Sequence, residues 1–235
     1  MLARTSAALT VCLVAACLLP ATESLEAQGY PPSTEPRHDS RIFGVLPNYR
    51  TVPGKLQNVA PMSGREKFRL AAAESFDRSS LFVAGLYAGI SQAAKQDPSW
   101  GQGAKGFSRR YGAAYADQAI GNYLTAAVFP ILLHEDPRYF RMGHGTFFRR
   151  MSYAVDRIAV TRTDAGSNRA NYSEFMGTAV AAGISNAYYP DAHRTVGNTV
   201  QTFGYQLATG ALFNVLQEFW PDIQRKLSHK SRLPD

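Results

Sequence analysis

One histidine and two carboxylates crowd the stretch His134-Glu135-Asp136-Pro137-Arg138-Tyr139, and a second histidine, His144, follows close behind. Imidazole nitrogens and carboxylate oxygens bind zinc and also move protons. His134, Asp136 and His144 are therefore the candidates for a metal- or acid–base-dependent hydrolase. The spacing lacks the His-Glu-x-x-His pair by which a helix aims two imidazoles at one zinc. The competing reading is a helix exit, with Asp136 capping a short turn that has Pro137 at its first position.

Asp117 is the next candidate. It sits among Ala113, Ala114, Ala116 and Ala119, so it faces an interior. A buried carboxylate needs a cation or several donors. Arg157 is one such cation and Arg110 another. Glu74, in a second alanine-rich stretch, poses the same question. Asp117, Arg157 and Glu74 are read as members of buried ion pairs, and Asp117 as a weaker catalytic candidate.

Other patterns carry less chemistry. Gly101-Gln102-Gly103-Ala104-Lys105-Gly106 lacks the order of a phosphate loop and follows no strand, so it reads as a flexible loop. No G-x-S-x-G elbow is present. Ser173 and Ser185 have no neighbouring base. Thr161 to Ala170 is a polar loop that could chelate an anion or a sugar, or simply connect. Tyr188-Tyr189 and Phe219-Trp220 fit either an interfacial belt or the closed ends of a core.

These residues need helices to position them. Ser63-Gly64-Arg65-Glu66 has capping-box form and opens a helix through Phe76. Asp77 to Ser80 offers a fresh cap for a helix from Leu81 to Lys95. A third helix runs from about Phe107 to Leu133, with Pro130 kinking or breaking it. A fourth covers about Phe147 to Val160. Asn171-Tyr172-Ser173-Glu174 opens a fifth, which ends by Tyr189 before Pro190. The last runs from about Val196 to Phe219, where Pro221 ends or bends it. Ile42 to Leu46 is an apolar patch able to dock or to pair as an edge strand. No other strand is expected.

Small residues four apart share a helix face and let another backbone come close. Gly85 and Gly89, Gly112 and Ala116, the run Ala179, Gly183 and Ala187 with Gly177 and Ala181 interleaved, and Gly204 with Ala208 all follow that spacing. They predict an all-α fold: a compact multi-helix bundle with Gly/Ala helix–helix interfaces and an irregular N-terminal arm. The spacing also suits membrane helices. Against that, Asp117, Glu174, Asn186 and Asn214 would enter the bilayer, and a central carboxylate costs roughly 2.5–3.5 kcal/mol there.

The chain opens as an export signal. Arg4 supplies the positive end, Ala7 to Leu19 the apolar run, and Leu25-Glu26-Ala27 a cleavage site. Val14-Ala15-Ala16-Cys17 resembles a lipobox, so lipidation at Cys17 is the alternative to ordinary cleavage. Cys12 and Cys17 are the only cysteines, so cleavage after Ala27 leaves no disulfide or thiolate chemistry. The organisation is thus a signal peptide (1–27), a Pro-rich arm (28–62), a helical domain (63–223) and a basic tail (224–235). Removing residues 1–27 takes away Arg4, Glu23 and Glu26, leaving 24 basic against 16 acidic residues and a formal charge of +8. Such a protein, outside the cytoplasm, is drawn to anionic lipid or acidic envelope polymer rather than nucleic acid.

Phe43 to Tyr49, Arg110 to Asp117, His134 to Phe140 and Ile184 to Pro190 resemble segments of an uncharacterised family of exported bacterial proteins. The resemblance spans most of residues 40–223 and implies export, with no activity, cofactor or catalytic residue. The leading expectation is a non-enzymatic cell-envelope bundle, membrane-peripheral or self-associating, in the periplasm or the outer envelope, with no cofactor. A hydrolase of envelope material and an integral bundle handling a small solute are the alternatives.

Overall fold

The computed structural model describes residues 41–52 and 59–230. The segment 1–27 expected to be a signal peptide, Cys17 within it and much of the Pro-rich arm lie outside the described residues. The chain divides into two units, Met1–Asn48 and Tyr49–Asp235. In the first, the apolar patch forms a hairpin: β1 (Arg41–Ile42) pairs antiparallel with β2 (Leu46–Pro47). Phe43 and Gly44 hold φ of 54° and 72°, the left-handed values a tight hairpin turn requires at its two central positions.

The second unit is mostly helical. α1 (Gly64–Ser75) starts on a complete capping box. Ser63 Oγ accepts from the Glu66 amide at 3.3 Å, and Glu66 Oε2 accepts from the Ser63 amide at 2.7 Å. α2 (Arg78–Ala93) starts on Asp77, whose Oδ1 accepts from the Ser79 amide at 2.8 Å. α3 (Gly103–Tyr123) begins inside the glycine-rich stretch read as a flexible loop. There the chain crosses itself closely: a methyl group on Gly106 would collide with the Gly101 carbonyl oxygen.

Pro130 acts upstream of itself. After α3 the helix widens into a π turn, Leu124–Val128, before α4 (Phe129–Leu132). The Phe129 amide reaches back five residues to Leu124 O. A π turn absorbs a proline that has no amide to donate and no room for the carbonyl a turn below.

α5 (Phe147–Asp156), α6 (Tyr172–Ser185) and α7 (Val196–Lys230) complete the helices. Between them run strands that the sequence reading missed, so the all-α expectation is corrected to a mostly helical fold with small sheets. β3 (Thr51–Val52) pairs in parallel with β5 (Tyr139–Phe140). β4 (Glu135–Asp136), β6 (Val160–Thr163) and β7 (Asn168–Ala170) form an antiparallel sheet in the order β4-β6-β7. Strands of two to four residues show no readable alternation; pairing across the fold decides them. The polar loop 161–170 is thus a hairpin, and α5 stops at Asp156 to release Val160 into it.

α7 also continues through Pro221 instead of ending near Phe219. The Glu218 carbonyl, three residues before the proline, accepts from Arg141 Nε at 2.8 Å and from Arg150 Nη2 at 2.7 Å. These two guanidinium groups brace the carbonyl next to that of Gln217, the one that Pro221 leaves without an amide.

The small-residue stripes divide sharply. Ala71, Ala126 and Ala127 are fully buried and form a core cluster against Tyr123. Gly177 is buried: a Cβ there would lie 2.8 Å from Thr125 Cγ2, 3.1 Å from the Leu124 carbonyl carbon and 3.2 Å from the Thr125 amide. This is the close backbone approach the spacing predicts, made by α6 on the π turn. The run Ala179, Gly183 and Ala187 does the opposite, for all three are exposed. A Cβ on Gly183, Gly89, Gly112 or Gly204 would meet nothing within 4 Å, while one on Gly85 would touch only the Tyr111 ring, at 3.5 Å. Positions 177/181 and 179/183 are two residues apart, about 200° around a helix, so only one of the two stripes can face inward.

Candidate functional site

The predicted acid–base group disperses into separate contacts. His134 is exposed, with a φ of 54°, and its carbonyl accepts from the Asp164 amide at 2.9 Å. His144 is exposed, and its Nδ1 lies 2.7 Å from Met142 O. Asp136 is buried and taken by Arg138, whose Nε and Nη2 donate at 2.9 and 2.6 Å. Its neighbour Glu135 accepts from Arg169 Nε and from the Ser173 amide, both at 2.8 Å, which ties β4 to the first turn of α6. Among the described residues no three His, Cys, Asp or Glu side chains group to hold a metal ion.

The expected partners of the buried charges are also exchanged. Asp117 accepts from the hydroxyls of Tyr188 and, at 2.9 Å, Tyr189. Burial first, and then Asp117, push both phenols above the usual tyrosine range. Arg157 is buried, donates to Asn168 Oδ1 at 3.2 Å and lies 5.9 Å over the Tyr153 ring. Burial lowers its pKa. Arg157 is therefore not the partner of Asp117. The segment after α6 supplies the tyrosines because that helix stops at Ser185 rather than Tyr189. Glu74 does join an ion pair, with Arg50, at 2.6 and 2.5 Å.

Arg50 also faces Glu174 on α6. Burial, only partly offset by Arg50 and the Thr178 hydroxyl, raises the Glu174 carboxyl above the usual glutamate range. A raised folded pKa means that its stabilising contribution is complete below the unfolded pKa and is lost as pH rises through the folded value. We expect Glu174→Gln to raise the melting temperature near neutral pH. The gain should fade as the pH falls through the raised folded value and be gone below about 4.3, the unperturbed glutamate value. Melting curves across pH check this, and a shift of equal size at every pH would refute it.

The most connected acid is one the sequence reading left out. Glu218 on α7 is fully buried. It accepts from Tyr139 Oη at 2.9 Å, the Met142 amide at 3.0 Å, the Gly143 amide at 2.9 Å and Arg150 Nε at 2.8 Å. Burial, then Glu218, drives the Tyr139 phenol upward. Arg150 also pairs with Asp222 at 2.6 Å and lies 4.5 Å over the Phe219 ring. Trp220 is buried in the core, while Phe219 is half-buried and packs on the exposed Phe147 ring. The hint in the sequence was an acid one residue before Phe219-Trp220.

Two places have chemistry left over. One is a cavity of about 30 Å³ lined by Ser91, Gln96, Asp97, Trp100, Arg110 and Tyr189, among others. Arg110, once a possible partner for Asp117, here holds the turn Pro98–Trp100 to α3 through backbone carbonyls. The other is the outer face of α6. Tyr172, Met176, Val180 and Ile184, four apart, are each 41–52% exposed beside the open Ala179–Gly183–Ala187 stripe. The only charged residue of α6 is Glu174, which lies against Arg50. Among the described residues no helix is long and apolar enough to cross a membrane. No protein-family model, curated protein or solved structure matches this chain.

Proposed function

We propose that the chain is a non-enzymatic protein of the cell envelope, a helical bundle packed through small residues that works by self-association. The observation that carries this is the outer face of α6. It combines large apolar side chains, an exposed stripe of small residues with open space at Gly183, and no charged side chain between Phe175 and Ser185. A face of that kind complements itself: the small stripe lets two helices approach, and the flanking Met176, Val180 and Ile184 bury against the same residues of a second copy. Large exposed apolar surface on a folded domain marks an interaction site. Export by the segment 1–27 places the protein outside the cytoplasm in this reading.

Sedimentation velocity on the cleaved chain tests it. We expect a dimer or larger species that Gly183→Lys converts to monomer, since Gly183 has open space around it and the lysine fits the isolated fold. A wild-type chain that stays monomeric as its concentration rises would end the proposal. A bilayer surface is the second reading, and Phe147 and Phe148 at the start of α5 favour it. They are 55% and 82% exposed, with Arg149 exposed next to them. Aromatic rings beside a cation suit an anionic headgroup layer, and vesicle flotation with Phe148→Ser separates this reading from the first.

A further inference from the structure

We propose that the cavity beside Arg110 binds the carboxylate head of a small monocarboxylate. Arg110 lies in the second turn of α3 and is 2% exposed. Its Nη1 donates to Gly101 O at 2.8 Å, and its Nη2 to Gln96 O at 2.5 Å and Asp97 O at 3.1 Å. The guanidinium carbon lies 6.0 Å from the centre of the Trp100 ring. These contacts explain why an arginine is there, since one side chain fastens the whole 96–101 turn.

They do not complete it. Nε is buried and has no acceptor among the described residues. Nor does Arg110 form an ion pair among them, unlike buried Lys67, which pairs with Asp164, and Arg150, which pairs with Glu218. Carbonyl dipoles satisfy hydrogen bonds but leave the positive charge standing, and a desolvated cation is costly without a counter-charge. The cavity against it is about 30 Å³, above the ~10–15 Å³ that a single water needs. It has room for a carboxylate group and little more.

The walls narrow the class. Asp97 lines the same cavity and repels every anion in proportion to its charge, so a single negative charge meets the least opposition there. The buried Ser91 hydroxyl offers a donor to the second carboxylate oxygen. Trp100 and Tyr189, their rings 5.1 Å apart, form an apolar wall for the carbon next to the carboxylate. Tyr87 lines the cavity and is 45% exposed, so the rest of the molecule has a way out to solvent.

Acetate is the probe. The cleaved chain, labelled with ¹⁵N-arginine, is titrated with sodium acetate at constant ionic strength, and the arginine Nε–H signals are followed. The Arg110 signal is the one lost in Arg110→Lys. We expect that signal to shift saturably with one acetate per chain, and the melting temperature to rise over the same range. Ser91→Leu, which fills the cavity and leaves Arg110 intact, should weaken acetate by at least about tenfold. If Ser91→Leu does not fold, Ser91→Val serves in its place. A signal that does not saturate, undiminished binding in the filled variant, or an equal response to sodium chloride would each overturn the carboxylate assignment.

Discussion

Glu218→Ala is expected to cost about 3–5 kcal/mol of folding stability, the range for removing one partner of a buried ion pair. The size follows from what remains behind. The buried Tyr139 hydroxyl and the part-buried Met142 and Gly143 amides all lose their acceptor. Arg150 keeps only Asp222 as a carboxylate partner. The consequence reaches two regions, because Glu218 holds the segment 139–143 and α5 to α7. Asp222→Asn removes a neighbouring but more exposed carboxylate, and should cost no more than about 1 kcal/mol. Urea denaturation of both variants checks the contrast. Similar losses would mean that the network is shared across α7 rather than centred on Glu218.

Two glycines on α6 should respond with opposite signs to the same added methyl group. Gly177→Ala forces a Cβ against Thr125 and the Leu124 carbonyl carbon. Backbone of the π turn has nowhere to move, and overpacking of this kind costs about 1–3 kcal/mol. Gly183→Ala meets open space and relieves a helix of glycine's conformational freedom, which should add about 0.5–1 kcal/mol. Thermal melts of the two variants at low protein concentration, where association does not contribute, decide it. A loss at both positions would place Gly183 in a packed interface within one chain. A gain at both would mean that α6 does not rest on the π turn.

Helix starts were legible because a cap is a local device. Ser63 with Glu66, Asp77, and Asn171 accepting from the Glu174 amide all act within one turn. The Asn171 box is nevertheless only half made, since Glu174 lies against Arg50 and Thr178 instead of serving the cap. Helix ends were less legible. Pro221 reads as a stop, yet α7 runs on to Lys230, with arginines from two other segments bonded to the Glu218 carbonyl three residues before the proline. Apart from the patch Ile42 to Leu46, which pairs as a hairpin, the strands could not be seen, because two to four residues carry no readable period.

The candidate sites show the same division. Asp117 and Glu74 were recognisable as acids needing partners, from their alanine neighbours alone. Which partners they take depended on where α6 stops and on the segment 49–52 lying beside α1. Tyr188 and Tyr189 took the place assigned to Arg157, and Arg50 came from the arm. His134, Asp136 and His144 are adjacent in sequence, but contact along the chain does not aim side chains at a common point.

The sequence alone determined that helices dominate, where most of them begin, and that no cysteine follows Cys17. Those properties depend on residues within a turn of one another or on composition. Only the tertiary structure decided which stripe of α6 is buried, that Glu218 rather than the histidine cluster is the hub of the polar interior, and that Arg110 keeps an unanswered N–H beside a cavity. Periodicity says which residues share a face; which face turns inward, and what meets it there, depends on chain segments far away in sequence.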